Sequence, residues 1–208
     1  MIKIVMKIMI SLLILILSGC GKIVKQKEMS IEIAQLSKAE KEIVKLVGHK
    51  SSPVIYDFKL DKNVKSIQVN LYELVDGEWK IISGGGGQTH TDKKGRIHLG
   101  FDNLEEGLRI AIQSENFDGA NEYAIDPKED FTGTRATSIL NDSMDIVYEE
   151  EIPLVVQTLT TNSSFSTYEP EVFYTPEQYE KEGYEHIYAI TIRFSKLTVG
   201  EIDIIPVK

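Results

Sequence analysis

Ser66-Ile-Gln-Val-Asn-Leu-Tyr-Glu-Leu-Val-Asp-Gly-Glu-Trp-Lys-Ile-Ile-Ser83 is the stretch that decides the fold. Asp76-Gly77 near its centre fits a two-residue type I′ turn, which needs a left-handed backbone at both positions and joins antiparallel strands. Counting back from the turn pairs Leu74 with Trp79, Glu73 with Lys80 and Tyr72 with Ile81. Aromatic–aliphatic and opposite-charge pairs of this kind each stabilise a hairpin by up to about 1 kcal/mol. Ile67, Val69 and Leu71 alternate on one face, whereas Tyr72 and Leu74 continue on the other. That change of face implies a bulge, or burial of both faces.

The same period of two extends in both directions. Val54, Tyr56, Phe58 and Leu60 alternate with polar residues before the hairpin; Ile97, Leu99 and Phe101, then Leu108, Ile110 and Ile112, do so after it. Further strands are expected near 138–148 and 152–160, where Pro153 marks a strand edge or start. The last long strand falls at 187–197, with Tyr188, Ile190, Ile192 and Phe194 on its inner face, and 201–207 adds one more. Residues 115–133 are polar and weakly patterned. Helical spacing occurs in two short pieces. Ser37-Lys-Ala-Glu40 has capping-box spacing ahead of Ala39, Ile43, Leu46 and Val47, which gives an amphipathic helix over 38–47. Thr175-Pro176-Glu177 opens and Gly183 closes a second helix over 176–182. The fold class is therefore mainly β. It is a single antiparallel β-sandwich of immunoglobulin-like type or a small barrel, with a short N-terminal helix and a short helix in the 163–188 insertion.

The chain opens with Lys3 and Lys7, then an apolar run from Ile8 to Leu17 that ends in Leu17-Ser18-Gly19-Cys20. That run is too short for a bilayer span, which takes about 20 apolar residues. Its charged, apolar and small-residue parts have the layout of a secretory signal. Leu17-Ser18-Gly19-Cys20 resembles the lipobox of the bacterial lipoprotein class. The resemblance covers the first twenty residues and implies a lipid on the Cys20 sulfur and cleavage before it. Residues 1–19 are then a signal peptide, 20–36 a lipidated cysteine and lysine-rich tether (Lys22, Lys25, Lys27), and 37–208 a single β-rich domain. The implied location is the extracytoplasmic face of the cell membrane. Cys20 is the only cysteine, so no disulfide and no thiolate metal cluster supports the domain.

Loss of Lys3 and Lys7 with the signal lowers the net charge from −9 to −11. A strongly acidic surface keeps a protein soluble, repels nucleic acid and suits a cationic partner. Several chemistries find little support. After Gly84-Gly-Gly-Gly87 comes Gln-Thr-His, not the Lys-Ser/Thr and helix of a phosphate loop. His90, Asp92 and His98, with His49 or His186, are the only arguable zinc ligands. They read better as solvated loop and face residues than as three ligands on rigid elements. Gly-x-Ser-x-Gly is absent, as is the Asp-x-Asp-x-Asp-Gly calcium loop. No metal, cofactor or catalytic residue is expected, although 32 acids leave paired-carboxylate hydrolysis open.

Residues 163–188 stand apart. They hold five of the nine tyrosines, with Glu169, Glu171, Glu177, Glu180, Glu182 and Glu185 between them. Tyr168, Phe173, Tyr174, Tyr179 and Tyr184 are the candidate binding surface, because tyrosine supplies contact area at low entropic cost. The competing expectation is that these rings fold back to cap one end of the sandwich. The sequence thus points to a non-catalytic surface lipoprotein that binds a cationic peptide, a protein or an envelope component. The alternatives are a carboxylate-dependent envelope hydrolase and an accessory subunit of a membrane complex docked through the 38–47 helix.

Overall fold

The hairpin around Asp76-Gly77 joins β3 (Ser66–Val75) to β4 (Glu78–Gly84). Both turn residues have positive φ, 53° at Asp76 and 78° at Gly77, as a type I′ turn requires. Leu74–Trp79, Glu73–Lys80 and Tyr72–Ile81 are in register. The register then shifts between Leu71 and Tyr72, and Leu71 faces Ser83, so Ile82 is the extra residue of a bulge. Burial on both faces is present as well, since residues 66–73 are buried without a break.

A computed structural model describes residues 29–47, 54–84, 87–125 and 131–202. Two antiparallel sheets are built there from β1 (Ser30–Ile33), β2 (Val54–Lys59), β3, β4, β5 (Gln88–Thr89), β6 (Lys94–Gly100), β7 (Gly107–Ser114), β8 (Asp118–Ala124), β9 (Thr134–Ile139), β10 (Met144–Asp145), β11 (Glu151–Thr160) and β12 (His186–Ser195). The first sheet runs β10-β1-β2-β6-β7-β8; the second runs β4-β3-β12-β11-β9, with β5 also on β3. They face each other and stay open at their edges. The fold is a β-sandwich and not a barrel.

The inner faces carry the alternating residues of the sequence. Tyr56, Phe58, Ile97, Leu99, Ile110 and Ile112 of the first sheet meet Ile67, Val69, Leu71, Leu154, Ile190, Ile192 and Phe194 of the second. Each such side chain contributes roughly 1.5–3 kcal/mol through burial. Tyr56 crosses the layer and donates its hydroxyl proton to the Leu154 carbonyl at 2.8 Å, and Phe58 meets Phe194 edge-on at 5.8 Å.

Several expectations need correction. Residues 30–33 belong to β1 and not to a tether, since Ile31 is fully buried and pairs with Phe58. Within 115–133 lies β8, which the apolar pattern missed because an edge strand with an exposed face carries polar residues. Pro153, by contrast, stands as expected near the start of β11, paired with Thr191 of β12 at a register shift and beyond the end of β9. That is where a strand tolerates a missing N–H. Residues 199–201 form a 3-10 turn, and 203–207 lie outside the described residues.

Helix α1 (Lys38–Val47) has the expected bounds. Its capping box is complete: Ser37 N–H donates to Glu40 Oε2 at 2.7 Å, and Glu40 N–H donates to Ser37 Oγ at 3.3 Å. Arg96 of β6 then clamps the helix to the outer face of the first sheet. It donates to Glu40 Oε1 at 2.7 Å and to Asp57 Oδ1 of β2 at 2.7 Å.

Candidate functional site

The outer face of the second sheet is apolar where β3, β11 and β12 present Tyr72, Val156, Ile187 and Ala189, and it needs a cover. Residues 161–185 supply it. Glu185 closes the neck of this excursion, accepting from the Thr161 hydroxyl and from Thr161 N–H at 3.1 Å, and the hydroxyl above all holds its carboxyl below the usual range. Pro170–Tyr174 forms a 3-10 turn, α2 (Glu177–Glu180) follows, and Gly183 ends the helical piece at φ 63°.

The candidate residues come together in one layer, with different fates. Tyr179 is 1% exposed and fills the space above Ala189. Phe173 stacks on Trp79 with centroids 5.0 Å apart and meets Tyr72 edge-on at 5.3 Å. Tyr168 packs edge-on against Tyr179 at 5.2 Å and donates to Glu182 Oε1 at 2.6 Å. Tyr184 donates to the Ser166 carbonyl at 2.9 Å. These four rings turn toward the sheet, so the excursion caps a face of the sandwich and not one of its ends. Tyr179 in particular is a core residue. Tyr174 differs: it is 54% exposed at the rim, with its hydroxyl donated to the Glu151 carbonyl at 2.7 Å.

Below Tyr174 lies a polar network that sequence reading missed. The Glu151 carboxylate accepts from Asn70 Nδ2 at 3.0 Å, from the Tyr72 hydroxyl at 3.3 Å and from Thr191 Oγ1. Its signal in the sequence was the set of polar residues interrupting the apolar runs of β3 and β12, which share one face of the sheet. Partial burial pushes the Tyr174 hydroxyl above its ordinary pKa, and the carboxylates of Glu150, Glu151 and Glu171 add to that. An exposed ring fixed by its hydroxyl in a negative field presents a face suited to a cation.

The histidines are dispersed. His90 is buried, 2% exposed, edge-on to Phe58 at 5.3 Å, and not solvated as its loop position suggested. Asp92 accepts from Ser114 Oγ at 2.6 Å and from Asn116 N–H at 2.8 Å. His186 meets the buried carboxylate of Glu73 at 3.2 Å and stacks on Tyr188, tying β12 to β3. His49 lies outside the described residues, and among the described residues no three His, Cys, Asp or Glu side chains are grouped to hold a metal ion. The next described element after Gly84 is strand β5 and not a phosphate-binding helix.

On the opposite side of the molecule, α1 overhangs the first sheet and leaves a groove of about 610 Å³. Its floor is Ile55, Ala111 and Ala120, its wall Leu36 and Val44, and Arg96 closes one end. Cys20 and the lipobox-like residues expected before it lie outside the described residues, and no helix among the described residues is long and apolar enough to cross a membrane. No protein-family model, curated protein or solved structure matches this chain.

Proposed function

We propose that the chain is a non-catalytic lipoprotein, anchored through Cys20 on the extracytoplasmic face of the membrane, that binds a cationic peptide or a basic segment of an envelope protein. The binding surface is the rim of the 163–188 insertion around Tyr174. The observation that carries this reading is the exposed Tyr174 ring, held by its hydroxyl to the Glu151 carbonyl and flanked by Glu150, Glu151 and Glu171. The neighbouring rings give it a rigid base, so little order has to be imposed on binding. A lysine or arginine side chain over that ring gains from the ring quadrupole and from the carboxylates together.

The test is a titration of the protein with lysine- and arginine-rich peptides, read by calorimetry at low and high salt. Binding that weakens with salt and falls several-fold in Tyr174→Ala, Glu150→Gln and Glu171→Gln supports the site. Affinity unchanged in all three variants removes it. Tyr179→Ala is not a useful control, because it opens the layer beneath.

A further inference from the structure

Helix α1 touches the first sheet along one line. Glu40 meets Arg96, and Val44, with one edge of Ile43, borders the groove over Ile55 and Ala111. At 3.6 residues per turn, Ala39, Ile43 and Leu46 fall within an arc of about 60° beside that line. Ile43 is 60% and Leu46 85% exposed, the two most exposed large apolar side chains among the described residues. Lys38, Lys41 and Lys45 are all exposed on the other side of the helix. Of its two acids, Glu40 is engaged by Arg96, leaving Glu42.

We propose that α1 is an interfacial helix that lies on the anionic surface of the bilayer. Ala39, Ile43 and Leu46 enter the boundary between headgroups and acyl chains, while Lys38 and Lys45 extend round the flanks of the helix to the anionic headgroups. The proposal rests on the lipid anchor at Cys20 given above. Length supports the occupant: β1 begins at Ser30, ten residues after Cys20, a span of at most about 35 Å when fully extended. Residues 34–37 then lead directly from β1 into α1, so the helix stays near the membrane whatever the tether does. Charge supports it too. Lys22, Lys25 and Lys27 precede the lysines of α1 in the sequence of a chain that is acidic as a whole, and basic residues with an apolar face are what an interfacial helix requires.

The test uses the full chain with Cys20 intact, carrying Leu46→Cys labelled with an environment-sensitive fluorophore, on vesicles of phosphatidylethanolamine and phosphatidylglycerol. A blue shift, with quenching by lipid-borne quenchers, is expected at this site and not at Glu171→Cys on the opposite face. A label that stays in water while the chain is held on the vesicles overturns the proposal. So does a shift without vesicles that grows with protein concentration, which marks a second copy. A stoichiometric cross-link from this site to one membrane protein, which marks an accessory subunit, overturns it equally. Mass spectrometry of Cys20 tests the anchor separately. Should the sulfur carry no lipid, the anchor reading fails alone, and the same label on the unlipidated chain with added vesicles decides for or against α1.

Discussion

The indole N–H of Trp79 donates to the carbonyl of Phe173 at 2.8 Å while the two rings stack. One bond and one stack thus join the hairpin, where the fold is first legible, to the insertion, where function is proposed. Trp79→Ala removes both and uncovers Tyr72 and Tyr179. It should destabilise the protein by about 3 kcal/mol, in the range found for deleting a large ring, and free the insertion for proteolysis. Urea unfolding followed by circular dichroism measures the first, and limited digestion the second. Unaltered digestion of 163–185 would mean that the insertion holds to the sheet without this link.

Tyr179 offers a sharper probe. Its hydroxyl is buried without an acceptor among the described residues, and burial pushes its pKa above the ordinary value. A buried hydroxyl with no partner costs stability, so Tyr179→Phe should leave the protein as stable or raise it by about 1 kcal/mol. Tyr168→Phe, which loses the bond to Glu182, should not. A clear loss in Tyr179→Phe would show that the hydroxyl is satisfied.

Removing the Glu151 carboxylate takes one shared acceptor from three donors at once. Glu151→Ala should cost about 2–3 kcal/mol as Asn70, Tyr72 and Thr191 lose their common acceptor. Glu151→Gln, which keeps one acceptor oxygen, should cost less. The ordering is read from chemical denaturation, and equal losses in the two variants would reduce the network to packing alone.

The α1 clamp has a pH signature. Glu40 is held at about 2, below its ordinary 4.5, first by the Ser37 hydroxyl and then by Arg96. Because the folded value is depressed, the clamp's contribution is complete above about pH 4.5 and is lost as the pH falls through 2. Carboxyl NMR should place the Glu40 midpoint near 2, moving part of the way up in Arg96→Gln. Amide exchange in α1 should rise over the same acid range. A midpoint at the ordinary value would mean that the helix is not held there.

How much of this was legible depended on which faces the sequence had to mark. The Asp76-Gly77 turn, the pairs on either side of it and the Ser37–Glu40 capping box were readable because each is local. The inner faces of β2 and β12 were readable because polar residues alternate with Tyr56 and Phe58, and because Tyr188, Ile190, Ile192 and Phe194 keep strict spacing. Edge strand β8 carries Tyr123 as its one large apolar residue, too little for an alternating pattern. The fate of the five aromatic candidates was not readable either. Tyr72, Val156, Ile187 and Ala189 form an apolar face only once three strands distant in sequence are side by side, and nothing local says that Tyr179 belongs on Ala189. His90 failed for the same reason, since its neighbour Phe58 lies on another strand.

The position of β12 has a consequence for how the chain is made. Among the described residues it is the last strand in sequence, yet it lies between β3 and β11, with Leu71 opposite Ile190 and Val156 opposite Ala189. While the ribosome has yet to release residues 186–195, β3 and β11 lack the strand that joins them, and the second sheet has no middle. Contacts this distant also form slowly. The second sheet therefore closes only after residues 186–195 have left the ribosome, and β3, more than a hundred residues earlier, must wait for that partner.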